Sequence, residues 1–109
     1  MTDLFEEQCS MLKEPHFLIL YWTAKAEEKE VKYNITNIFD DLKYIGATRT
    51  KQSAVSFVDA LYALCFVGIS GDGNRKNLYI SKHGARALEH LLSNTKYKPK
   101  KSLFLEGSK

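Results

Sequence analysis

Apolar positions recur every three to four residues over most of this chain, give way once to alternation, and then return to the helical spacing. Leu4, Phe5, Cys9 and Leu12 predict a short amphipathic helix over residues 2–12. Pro15, favoured in a first helical turn, predicts a second helix to about Glu28. Its first half is apolar on nearly every side, as in a helix enclosed by other elements or by a second subunit. An extended piece over Val31, Lys32 and Tyr33 follows, and then Asn34 or Thr36 as a helix cap. Ile35, Ile38, Phe39, Leu42 and Ile45 form one core stripe, Asn37, Asp40, Asp41 and Lys43 lie elsewhere on the cylinder, and Gly46 ends the helix.

Ala47, Thr48 and Arg49 then make a very short connection to another helix, with Thr48 or Thr50 supplying the cap oxygen. That helix runs through Ala54, Val58, Leu61, Leu64 and Cys65 and is polar at its start. After about Cys65 the period changes to two strands, Phe66 to Ser70 and Asn77 to Ser81, around an Asp-Gly step that signals a hairpin. Ser81 caps a last helix whose apolar face is Ala85, Leu88, Leu91 and Leu92. From Ser93 onward, Lys96, Lys98, Lys100 and Lys101 surround Pro99 before Leu103, Phe104 and Leu105, the pattern of a loose tail or of an arm that docks on a partner.

Composition narrows this reading. With 109 residues and 44% hydrophobic content the chain builds one core, so residues 1–109 are expected to form a single domain. Two cysteines inside apolar runs, Cys9 and Cys65, resemble buried small hydrophobes, which points to a reduced compartment. Phe17 to Trp22, the longest apolar stretch, is too short to span a bilayer, and Asp3, Glu6 and Glu7 are wrong for a signal-peptide start. A soluble, cytoplasmic protein with no membrane partner is expected. Charge is unevenly spread: residues 1–30 hold three lysines against seven acids, −4, whereas residues 31–109 carry +7. A basic body of this kind suits a polyanion.

The order helix, short strand, helix, turn, helix, hairpin, helix over residues 16–92 is similar to that of winged helix-turn-helix proteins, especially the MarR and PadR-like regulators. Ser53-Ala-Val-Ser56 resembles the start of their recognition helix. Leu78-Tyr-Ile-Ser-Lys-His-Gly-Ala-Arg-Ala-Leu88 resembles the strand-to-helix ending of the motif. The resemblance implies a mainly α, α+β fold with a two-stranded wing, segments 1–14 and 93–109 used for dimerisation, and binding to double-stranded DNA. Phe57 and Val58 depart from the pattern by making the middle of the recognition helix apolar.

A helix entering a major groove needs donors at its first turns and flanking groups for phosphate. Arg49 and Lys51 suit guanine, Gln52 suits adenine, and Thr50, Ser53 and Ser56 suit phosphate or short base contacts. Asn74, Arg75 and Lys76 at the wing tip suit the minor groove and backbone. Leu4, Phe5, Leu12, Tyr97, Leu103, Phe104 and Leu105 are assigned to a homodimer interface, because the chain ends carry more apolar surface than one core needs. Tyr21 and Trp22 with Phe17 are assigned to core or dimer packing ahead of a small-molecule pocket.

Enzymatic chemistry finds little support. His16, His83 and His90 lack ligand spacing for a metal, adjacent Asp40 and Asp41 diverge on a helix, and the glycines at 71 and 73 precede no phosphate-loop lysine. No cofactor or metal is expected. The expectation is a dimeric DNA-binding regulator. Its competitors are a DNA-coating partition or architectural protein, and a protein-interaction module with Phe57 and Tyr62 as exposed anchors.

Overall fold

The computed structural model describes residues 4–71, 77–100, 102 and 105. Among these, five helices and one two-stranded antiparallel sheet make a mainly helical α+β fold. The first helix, α1 (Leu4–Ser10), ends two residues before the expected end at Leu12, which follows it in a turn. Next, α2 (Glu14–Glu28) starts one residue before Pro15. It is the central helix, with Phe17, Leu18, Ile19 and Leu20 all fully buried, which accounts for its all-round apolar first half. No helix among the described residues is long and apolar enough to cross a membrane.

The extended residue Tyr33 is itself core, and its carbonyl accepts from Leu78 N at 2.8 Å, while Asn34 bridges to Asn77. Asn34 then caps α3 (Ile35–Tyr44): its side chain accepts from Asn37 N at 2.9 Å, and its own N–H donates to Asn37 Oδ1 at 3.1 Å. Ile38 and Leu42 are sealed, with Ile35, Phe39 and Ile45 half-buried beside them. Gly46 adopts φ +79°, the left-handed conformation that closes a helix end, and Ala47 N returns to Leu42 O at 2.8 Å.

Thr50 is the cap of α4 (Lys51–Ala63), accepting from Ser53 N at 3.2 Å. The periodicity predicted that this helix would continue through Leu64 and Cys65. It stops at Ala63, because Cys65 takes φ +64° and turns the chain so that Phe66 N reaches back to Leu61 O at 2.9 Å. Cys65 is accordingly exposed, which corrects its assignment as a buried small hydrophobe, whereas Cys9 is buried as expected. The turn sends Phe66 into the core.

Strands β1 (Val67–Ser70) and β2 (Asn77–Ile80) pair in the register Val67 with Ile80 to Ser70 with Asn77. Ser81 caps α5 (Lys82–Asn94) by accepting from Gly84 N at 2.9 Å while its hydroxyl donates to Cys65 O at 2.6 Å. The buried face of α5 is Gly84, Ala87 and Leu91, with Leu88 at its edge; Ala85 is exposed and Leu92 is 45% exposed, so the predicted face is rotated. Gly84 sets the rotation, since a Cβ there would lie 1.8 Å from the Phe66 carbonyl oxygen and only a glycine lets the helix seat so closely.

Described residues on either side of this body pack onto it. Phe5 packs edge-on against Phe66, His83 and His90, with the Arg86 guanidinium 5.0 Å from its ring centre. At the other end, the stretch through Tyr97, Lys100, Ser102 and Leu105 lies across α2. Trp22 Nε1 donates to the Lys100 carbonyl, Tyr97 Oη to Leu12 O, Ser102 Oγ to Asp41 and Lys29 Nζ to the Leu105 carbonyl.

Candidate functional site

The pair α3 and α4 positions most of the residues expected to carry function. Ala54, Val58 and Leu61, spaced i, i+4 and i+7, are fully buried and seat α4 against the rest of the molecule. Lys51, Gln52 and Ser56 are exposed on its other side, and Arg49 and Thr50 are exposed in the turn that enters it. The first turn contains no acidic residue, and Asp59 is the nearest acid along the helix. The helix start therefore combines a partial positive end, with the Ser53 amide capped by Thr50, and two cationic side chains.

Three of these groups also have local duties. Thr50 and Ser53 exchange a hydroxyl hydrogen bond of 2.9 Å in addition to the cap, so both hydroxyls help build the helix start. Lys51 Nζ donates to Thr36 Oγ1 at 3.2 Å, leaning across to the first turn of α3. Arg49, Gln52 and Ser56 are the outward-facing members. Thr48, in the connecting turn, is buried and bonded to Thr50. The expected wing-tip residues Asn74, Arg75 and Lys76 lie outside the described residues.

The residues assigned to a dimer interface separate into distinct environments. Leu4 is 68% exposed and presents its side chain outward. Leu12 belongs to the core, Phe5 is half-buried against α5, and Tyr97 rests on Phe17 with ring centres 5.7 Å apart. Leu105 is half-buried against the core, and Leu103 and Phe104 lie outside the described residues. Phe17 and Trp22 are core residues, and the space beside Tyr21 and Trp22 is a cavity of about 20 Å³, enough for a single water. Phe57 is half-buried with its ring edge-on to His16 at 5.2 Å, while Tyr62 is 53% exposed.

A buried polar cluster is the feature that sequence reasoning missed. Asp41, read as lying off the core stripe, is fully buried; Tyr33 Oη and Ser102 Oγ both donate to its Oδ2, the latter at 2.5 Å. Burial, and secondarily the Asp41 charge, push the Tyr33 hydroxyl far above its ordinary value, so it stays a donor. The spacing gave no signal for it: Asp41 lies about 60° from Ile38, beyond the edge of the apolar stripe. Among the described residues no group of three His, Cys, Asp or Glu side chains converges to hold a metal, and no buried side-chain polar atom lacks a partner. No protein-family model, curated protein or solved structure matches the chain.

Proposed function

We infer that this protein is a winged helix-turn-helix regulator that binds double-stranded DNA as a homodimer through the start of α4. One observation carries the reading: α4 is anchored by Ala54, Val58 and Leu61 while its entry and first two turns turn Arg49, Gln52 and Ser56 outward beside the exposed Lys51, free of acids until Asp59. Such a helix start meets phosphates with its amides and cations and base edges with Gln52 and an arginine. The element order α3, turn, α4, β1, β2, α5 supports the same reading, since a hairpin after the second helix of the pair is where a wing stands. The +7 charge of residues 31–109 favours a polyanion.

A protein-binding use of α4 has one of its two proposed anchors, Tyr62, exposed, while the other, Phe57, is half-buried against His16. The test is a fluorescence-anisotropy titration of the full chain with duplex fragments flanking its own gene. Binding that falls steeply with salt is expected. Lys51→Ala should weaken binding to every sequence and flatten the salt slope by about one, whereas Gln52→Ala should cost about 1–3 kcal/mol on the preferred site alone. Absence of duplex binding at about 50 mM salt, where phosphate contacts are strongest, overturns the reading. Footprints confined to one or two half-sites indicate a regulator; protection spreading along the fragment indicates a DNA-coating protein.

A further inference from the structure

The hairpin meets a third piece of chain over a single bridge. Leu78 N donates to the Tyr33 carbonyl at 2.8 Å and Asn34 pairs with Asn77, so the residues entering α3 lie antiparallel to β2. The same register sets Val31 opposite Ile80, where a continuing strand would offer its carbonyl to the Ile80 N–H, because amides two residues apart point to the same edge. The strand does not continue. Glu30 takes φ +56° and Val31 N returns to Ala26 O at 3.0 Å, which ties this stretch to the end of α2 instead. A side chain takes the missing rung: Glu27 Oε1 accepts from Ile80 N at 3.1 Å.

Glu27 is a poor residue for its own helix. It stands in the last turn of α2, beside the negative end of the helix dipole, where a cation is favoured. Among the described residues it forms no ion pair, unlike its neighbour Glu28, which meets Lys25 at 3.3 Å. The group it serves is the Ile80 amide, which pairs with Val67 at the base of the hairpin. We propose that Glu27 is a positioning residue: its carboxylate stands in for a third strand, clamps the base of the hairpin to the end of α2 and so holds the wing in the attitude it presents to a duplex. Arg75 and Lys76, expected to meet the duplex, lie between β1 and β2 in the sequence, so the strands at the base decide where that segment begins and ends. This consequence for DNA rests on the reading given above; the clamp itself does not.

Two variants of the full chain separate the clamp from the charge. Glu27→Gln keeps an acceptor oxygen and Glu27→Ala removes it, while both delete the same negative charge and so change the general attraction to a polyanion alike. Amide exchange followed by NMR should quicken several-fold at Ile80 in Glu27→Ala and stay slow in Glu27→Gln, with the Leu78 amide, held by Tyr33, unchanged in both. Against Glu27→Gln, Glu27→Ala should bind duplex several-fold more weakly and with a smaller salt slope, as expected when backbone contacts of the wing are lost. Ile80 exchange unchanged in Glu27→Ala, or quickened equally in both variants, overturns the clamp. Exchange quickened in Glu27→Ala alone, with duplex affinity and salt slope the same in the two variants, overturns its link to the wing. A wild-type chain that binds no duplex removes the functional reading, and Ile80 exchange still decides the clamp.

Discussion

Cys65 occupies a backbone conformation that L residues with a Cβ enter at a cost of about 1–2 kcal/mol. The cost is accepted because the left-handed turn ends α4 and delivers Phe66 into the core, where its carbonyl also receives Ser81 N at 3.1 Å. Glycine enters that region freely, so Cys65→Gly should raise stability by up to about 1 kcal/mol, partly offset by the greater freedom of the unfolded chain. The check is the urea midpoint at constant slope. At Gly84 the sign reverses. A methyl there meets backbone, the Phe66 carbonyl at 1.8 Å, and backbone cannot swing aside as a flexible side chain does. Gly84→Ala should therefore destabilise by about 3 kcal/mol despite alanine's better helix propensity, since separating α5 from Phe66 outweighs a gain of about 1 kcal/mol. Thermal unfolding of the two variants should move in opposite directions.

At the scale of elements, α2 carries a pH-sensitive start. His16 is buried against Phe57, and its Nδ1 accepts from Lys13 N at 2.9 Å, closing the first turn. Burial, and secondarily the nearby Lys13 charge, lower its pKa below the ordinary 6.5, because protonation charges a shielded ring beside a cation. A folded-state pKa below the unfolded one means the native state binds fewer protons, so this stability is full above pH 6.5 and is lost as pH falls through the folded value. His16→Gln supplies an acceptor at the same position that does not titrate, and should flatten the fall in melting temperature between about pH 7 and pH 5. A variant curve parallel to the wild type would sink that account. The element boundaries were largely legible because capping chemistry is local: Asn34, Thr50 and Ser81 each stand where an oxygen must meet a third-residue amide. The face of α5 was not legible, since Ala85 and Gly84 differ by a methyl whose cost depends on a carbonyl 18 residues earlier in the chain. Asp41 escaped for a similar reason, its partner Ser102 being 61 residues away. Of the candidate site, the outward set of Arg49, Gln52 and Ser56 was visible as polar positions between the apolar ones, whereas the tether from Lys51 to Thr36 needed the packing of α3 on α4.

For the whole molecule, the question is whether the apolar chain ends serve one core or a second copy. Surplus apolar residues at the termini read in sequence as an interface, yet Leu12 is fully enclosed and Phe5 and Tyr97 contact Phe66, His83 and Phe17 of their own chain. Only Leu4 among the described residues of that set stays largely outside. The two arrangements differ in how stability responds to concentration. A residue that seals a monomer's core lowers the melting temperature equally at every protein concentration, whereas an interface residue acts through association and makes the loss depend on concentration. Phe5→Ala removes a half-buried ring from between α1 and α5 and should cost about 2 kcal/mol, less than a fully buried phenylalanine, with the same shift at low and high concentration. Leu4→Ala should leave the monomer's stability nearly unchanged, because its side chain is already in water. If Leu4→Ala instead lowers the melting temperature more at low concentration, and sedimentation shows a dimer dissociating, then the end of α1 belongs to a two-fold interface and the homodimer has its contact. A concentration-dependent loss in Phe5→Ala would show that the ring is shared between two chains, and would remove it from the monomer core.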